Sequence, residues 1–449
     1  MHPIEFFIYA IQNWYLLGIW TIFFGLLLYF AVKKIAVGGI FDPIHLAYTF
    51  TFGTKYAIVC ALYFSGYISN YLFFIVVLFG ISFYLTLIYF SNKNQIYFNQ
   101  LFSLLVPKNN SHFEFKIIFL IYSFIALYIV SKIGFGFFAS TNRFDNNHGY
   151  GAFVRITDVL GTFIIAYLSI VYYERYKRLK RNDLKQYLHY LFLLIFIVFF
   201  TILNGAKAAF IFCLIAIVLA IRASGNKFKI SFIKGTILLL IATSFAIIGL
   251  YINLLNNNME SSGEGQYIKG IPVVAEKFIH RILANGNQSY MSLPNDVIEQ
   301  IKTDNIFIRL LTPIIGTSQM SRIVGYPAND LGVGRQIILY YTDMDVAGGP
   351  TSHFDLFSYV YFGIGGIIFV IFLGYILGSI NKLLKISYQK SIFYIALIAT
   401  LWIRSMAIIL EPAVGLAYIF DVIIIFFLLH IFIFTLSKVQ NRGNFKCIV

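Results

Sequence analysis

The sequence predicts an all-α polytopic membrane protein, and three observations carry that expectation. Hydrophobic residues make up 59% of the chain against 12% charged, with a mean hydropathy of +0.79, which is outside the range of soluble globular domains. Apolar runs of roughly 17 to 25 residues, the length that crosses a bilayer as a helix, recur along most of the chain. The Lys and Arg behind the formal net charge of +15 gather in alternate short loops, the pattern of cytoplasmic connections rather than of a nucleic-acid surface.

Taken in order, the apolar runs begin near Trp14, Pro43, Tyr71, Lys116, Phe153, Tyr187, Ala208, Phe232, Phe354, Ser391 and Ala413, which predicts about 11 transmembrane helices. Between the sixth and seventh, Asn204-Gly205-Ala206-Lys207 must form a tight hairpin. The strongest cytoplasmic signal is Arg175, Lys177, Arg178, Lys180, Arg181 and Lys185. Counting alternately from it puts Lys33-Lys34 and the basic stretches 93–116, 222–234, 382–390 and 438–446 on the same side. The only acidic residues in these regions are Glu114, Glu174 and Asp183. The same count places the N-terminus, the 138–152 loop, the Lys207 hairpin and the 404–412 edge outside, with the C-terminus cytoplasmic. Residues before Trp14 lack a basic n-region, so no cleavable signal peptide is expected. Cys60, Cys213 and Cys447 form no disulfide pattern. The 49 Phe and 32 Tyr supply lipid-facing surface and interfacial belts.

The one long polar stretch, 254–353, lies between the eighth and ninth predicted helices of a single integral membrane domain, 1–449. Long loops in compact proteins are usually functional or disordered, and this one is read as an external cap over an active site. Pro272 at a helix start, followed by Val273, Val274, Phe278, Ile279, Ile282 and Leu283, describes an amphipathic helix with Lys277, His280 and Arg281 on or near its polar side. Ile306-Phe307-Ile308-Arg309-Leu310-Leu311 is apolar yet carries an arginine, which places it at the outer interface, with Thr312-Pro313 ending it.

Residues 253–352 hold seven basic and nine acidic side chains, so the cap is no general anion trap. Its cations have to be read singly. Arg143, Arg155, Lys207, Arg281, Arg309, Arg322, Arg335 and Arg404 stand outside or at outer helix ends. A single arginine there usually serves an ion pair, as expected for Arg404 with Glu411 and Arg143 with Asp145. As a group they suit an interfacial diphosphate, which arginine binds through charge-assisted and often bidentate bonds. Lys207 sits at a hairpin tip, where it either faces such a ligand or snorkels. His353 stands where polar loop becomes helix, after Pro350-Thr351-Ser352, and imidazole is the side chain best suited to take a proton near neutral pH. Asp355 and the glycines 363, 365 and 366 follow. Asp343-Met344-Asp345 matches the D-x-D pattern by which many nucleotide-sugar transferases hold a divalent metal, but nucleotide sugars are cytoplasmic and this pair is expected outside, so a calcium-binding or plain surface turn is the better reading and no metal site is assigned. His45 and Lys55, deep in the second span, are read as polar helix contacts, or as a proton path if the chain is a transporter.

Many spans, a large late external loop, the hairpin with Lys207, Ile308-Arg309-Leu310-Leu311-Thr312-Pro313, and Pro350-Thr351-Ser352-His353-Phe354-Asp355 with its trailing glycines together resemble the bacterial O-antigen or oligosaccharide repeat-unit polymerases (Wzy type). The chain departs from the related O-antigen ligases in having Lys207 where those typically carry arginine. The resemblance implies a metal-independent, cofactor-free, inverting glycosyltransferase of the GT-C type at the outer face of the inner membrane. Donor and acceptor would be undecaprenyl-diphosphate-linked glycans, with a chain-length-regulating co-polymerase as a further partner. It makes His353 the base with Asp355 in reserve, and Arg309, Lys207, Arg281 and Arg155 the diphosphate ligands. Tyr267, Tyr290 and Tyr326 would stack on sugars or simply pack. The rival readings are a ligase that passes the glycan to lipid A core and a lipid-linked oligosaccharide flippase. Transporters tend to show interrupted helices and inverted repeats, and no repeat is visible here.

Overall fold

The computed structural model describes residues 1–106, 111–138, 149–179, 184–206, 209–226, 270–342 and 349–445, with isolated positions between 237 and 267. Among these residues the chain is helical throughout. A short helix α1 (Pro3–Gln12) precedes α2 (Trp14–Val32), α3 (Thr51–Phe64), α4 (Asn70–Asn92), α5 (Ile96–Leu104), α6 (Ser111–Lys132), α7 (Gly151–Leu179), α8 (Leu184–Asn204) and α9 (Ala209–Ala223). The cap holds α10 (Val273–Leu283), α11 (Asn287–Ser292), α12 (Ile306–Ile315), α13 (Thr317–Val324) and α14 (Val333–Tyr341). The chain closes with α15 (Phe354–Phe362), α16 (Gly366–Ile386), α17 (Ile392–Ser405) and α18 (Pro412–Phe445). Among the described residues, eight helices are long and apolar enough to cross a membrane. The protein is therefore an all-α polytopic membrane protein. The predicted starts fall within a few residues of the observed ones wherever the residues are described, because a run of apolar side chains long enough to span has little alternative to a helix in lipid. The predicted run from Phe232 lies almost wholly outside the described residues.

Four features were not legible in the sequence. The helix α1 packs into the cap: Phe6 stacks on Tyr290 at 4.3 Å and Phe7 on His280 at 4.4 Å, while the Met1 ammonium donates to Asn295 Oδ1 at 3.1 Å. The N-terminus and residues 270–300 thus share one end of the bundle, and the exposed His280 ring is covered on one face by Phe7. A widened, π-type turn over His45–Phe50 runs directly into α3, a feature often found beside functional sites. The helix α12 does not end at Thr312-Pro313. Pro313 is accommodated inside it and the helix stops at Gly316, whose φ is +102°; it buries Arg309 and Thr312 and exposes Phe307, Leu311 and Ile315.

The fourth feature positions the site. The apolar run from Phe354 is a helical hairpin rather than one span. At Gly363, with φ +55°, the chain reverses, so that the Phe357 and Phe369 rings meet at 6.0 Å and a Cβ on Gly366 would lie 2.4 Å from the Ser358 carbonyl. The helix α16 then runs alongside α4. Cβ atoms on Gly374 and Gly378 would lie 3.0 and 2.8 Å from the Phe83 and Leu87 carbonyls, so small residues set this close approach. At the other end of α15, Phe354 stacks on Phe83 at 4.1 Å, and Phe83 lies about 20 Å along α4 from Asn70 at 1.5 Å per residue. The segment leading to His353 therefore descends deep into the bundle, and α15 climbs back out.

Candidate functional site

At the foot of that descent Lys55 and Asp355 form an ion pair, both side chains fully shielded from solvent, with the ammonium on both carboxylate oxygens. Asp355 Oδ1 also accepts the Leu356 backbone N–H at 2.9 Å. The Lys55 ammonium lies 4.8 Å over the Phe52 ring. A charge this deep is costly unless paired, which explains why the one lysine in the second span meets the carboxylate at the head of α15.

His353 precedes this pair by two residues and is 0% exposed. Its backbone has φ +50° and ψ 153°, a strained region of the kind that clusters at active sites and ligand clamps, and its N–H donates to the Leu410 carbonyl at 2.8 Å. The imidazole rests 5.1 Å from the Phe52 ring. Neither ring nitrogen has a hydrogen-bond partner among the described residues. Buried beside the Lys55 ammonium and with no anion of its own to pair with, the ring is best placed neutral, with one nitrogen lone pair free to take a proton from a hydroxyl brought to it.

The other predicted residues fall into three groups, of which the first is tied to this centre through Glu411 and Ser352. Arg309, 8% exposed, is held by Asp304 at 2.6 and 3.2 Å and donates to the Ala328 carbonyl at 2.7 Å. The helix that carries it packs on the start of α18, beside Glu411. Glu411 does not pair with Arg404 as the sequence suggested. It accepts the Ser352 N–H at 2.9 Å and the Ser352 hydroxyl at 2.7 Å, tying the approach to His353 onto the α17–α18 corner.

Arg155 forms the second group. Its Nε donates to Asp421 at 2.8 Å, a second nitrogen pairs with the other Asp421 oxygen, and its remaining bonds go to the Pro313 and Ile314 carbonyls at the end of α12. Arg404 sits nearby on α17, 3.5 Å from Asp158 and 3.8 Å from the centre of the Tyr418 ring. Asp158 also accepts from Asn204, in a cleft lined by Thr157, Gly136 and Phe200. Seven-residue spacing within one apolar stretch pointed to Glu411, but the helix breaks at Met406 and Glu411, so the two side chains do not share a face.

The third group is not brought to the centre. Arg281 is exposed on the last turn of α10. Lys207, Asp343, Asp345, Arg143 and Asp145 lie outside the described residues, although Gly205, with φ +68°, does turn the hairpin there. Tyr290 is buried against Phe6 and Tyr267 packs edge-on to Phe7. Among the described residues no group of three His, Cys, Asp or Glu side chains is arranged to hold a metal ion.

What sequence reasoning missed was Lys55 as a member of the site. The signal was present: a lone cation in an apolar span requires an anion, and Asp355 opens another apolar run. The fold and this centre define a helical integral membrane protein with a buried polar site at the head of a helical hairpin. No protein-family model, characterised protein or solved structure matches the chain.

Proposed function

We propose that the protein is an inverting glycosyltransferase of the bacterial inner membrane that joins undecaprenyl-diphosphate-linked oligosaccharide repeat units into a polysaccharide. The observation that carries this reading is His353: a buried imidazole with both nitrogens unspent, on a strained backbone beside a fixed ion pair. In this reading eleven helices span the membrane, the N-terminus and cap are external and the C-terminus is cytoplasmic.

The acceptor hydroxyl oxygen attacks the anomeric carbon of the donor sugar from the face opposite the diphosphate. The carbon–oxygen bond to the diphosphate breaks, its electron pair leaves with the lipid diphosphate, and the hydroxyl proton passes to His353. Diphosphate is already a good leaving group, so cations on the developing charge matter more than an acid. Arg309 and Arg155 would exchange carboxylate for phosphate oxygens, with Lys207 and Arg281 closing from the cap side; no metal is required. Lys55 holds Asp355 in place, which leaves His353 as the base and Asp355 in reserve. The test is His353→Ala in cells: long glycan chains disappear while single lipid-linked units remain on the outer face. Unchanged chain-length ladders would remove His353 from the mechanism.

A second reading, a lipid-linked oligosaccharide flippase, is favoured by the re-entrant hairpin and the deeply buried Lys55–Asp355 pair, features that transporters use at their binding sites. Loss of single units from the outer face in the same variant would select it.

A further inference from the structure

Beside the Lys55–Asp355 pair, four buried side chains keep hydrogen-bonding capacity that no described residue uses. They are Gln288, through both amide atoms, Ser289 and Ser292, through their hydroxyls, and His353, through both ring nitrogens. All four residues are 0% exposed. Buried polar atoms in native proteins are nearly always partnered, and each exception calls for an explanation such as a ligand, a catalytic role or water.

The three cap residues are not scattered. They lie on α11, which is wedged among the elements of the site. A Cβ on Gly286, just before α11, would lie 3.4 Å from the Lys55 Cα and 2.5 Å from the Ile58 side chain, and Thr51 Oγ1 donates to Asn285 at 3.3 Å. Tyr290, Leu293 and Leu356 share one apolar cluster with Ile58, and the Tyr341 hydroxyl donates to the Met291 carbonyl at 2.8 Å. The helix α11 therefore packs on α3, the helix that carries Lys55, and shares an apolar cluster with Leu356, the residue after Asp355. Gln288 and Ser292 are one turn apart on the same face, with Ser289 next to them.

We infer that Gln288, Ser289 and Ser292, together with His353, form the subsite that holds the hydroxyls of the acceptor sugar. An amide offers donors and an acceptor, each serine hydroxyl can do either, and a neutral imidazole offers both. That mixture suits a neutral polyol, whose hydroxyls are themselves both donors and acceptors, and suits neither a lipid chain nor a metal. Lys55 links the two parts: its Cα backs the turn that leads into α11, and its ammonium holds Asp355, two residues from His353. The inference rests on the glycosyltransferase reading for the identity of the guest, and on the orphaned polar atoms for its location.

The probe is a panel of free monosaccharides: glucose, galactose, rhamnose, N-acetylglucosamine and N-acetylgalactosamine. Binding to the full-length protein in nanodiscs is read by saturation-transfer NMR. At least one sugar is expected to bind, and Gln288→Leu, similar in size but apolar, is expected to weaken it about tenfold, the loss of roughly one well-placed polar contact. Ser289→Ala/Ser292→Ala, which removes only two oxygens and leaves the packing intact, should do the same while keeping the wild-type melting temperature. Absence of binding across the panel, or equal binding by wild type and both variants, overturns the subsite. Sugar binding that depends on these residues in a protein that builds no polymer would leave the subsite standing and remove the transferase reading.

Discussion

Lys55→Met isolates the interaction on which the architecture of the site depends. Both partners are at 0% side-chain exposure, and Asp355 keeps only the Leu356 N–H once the ammonium is gone. Removing one member of such a pair leaves an uncompensated buried charge and costs about 3–5 kcal/mol. At 1.4 kcal/mol per decade, that is a shift of roughly two to four decades in the folded-to-unfolded ratio. Replacing both members behaves differently, because exchanging a buried pair for apolar side chains of similar volume is often neutral or stabilising by about 1–4 kcal/mol. Lys55→Met/Asp355→Leu should therefore recover most or all of the loss. The assay is equilibrium unfolding in mixed micelles of wild type, both single variants and the double variant, read as a double-mutant cycle. The reasoning fails if Lys55→Met is as stable as wild type, or if the double variant is as unstable as the sum of the two singles.

Other predictions concern the surrounding groups. Arg309→Ala leaves the buried Asp304 carboxylate without its cation and should cost about 3–5 kcal/mol by the same argument; a loss below 1 kcal/mol in unfolding experiments would show that Asp304 finds another partner. His353→Gly should be more stable than His353→Ala, because φ +50° with ψ 153° is open to glycine and strained by about 1–3 kcal/mol for other residues; equal melting temperatures would mean that the backbone relaxes. On the proposed function, treating the purified protein with EDTA should leave polymer formation intact, whereas a large drop would bring Asp343 and Asp345 into the chemistry as metal ligands.

Most helices were legible because hydropathy alone decides them, and in lipid a long apolar run has one structural outcome. The site was legible as a set of residue types and less so as a geometry. His353 and Asp355 stand out by their position at a polar-to-apolar boundary, but the sequence puts that boundary at the membrane surface. The structure puts it deep in the bundle, because the glycines at 363 and 365–366 reverse the chain instead of merely thinning a helix. Lys55 is 300 residues from its partner, and no local pattern encodes such a pairing; only the demand that a buried charge be neutralised hints at it. Arg404 shows the opposite failure. Helical spacing named a partner in Glu411, and a break in the helix handed the arginine to Asp158. The packing of α1 into the cap escaped notice because its ten residues are too few to register as a span.

The most direct test is reconstitution. Purified protein in proteoliposomes is supplied with single lipid-diphosphate-linked repeat units, and the products are resolved by chain length. Wild type should yield a ladder with stoichiometric release of lipid diphosphate, and His353→Ala none from protein that is equally well folded. A wild type that leaves the units single, or a His353→Ala variant that still builds the ladder, contradicts the proposal that this buried imidazole drives glycosyl transfer.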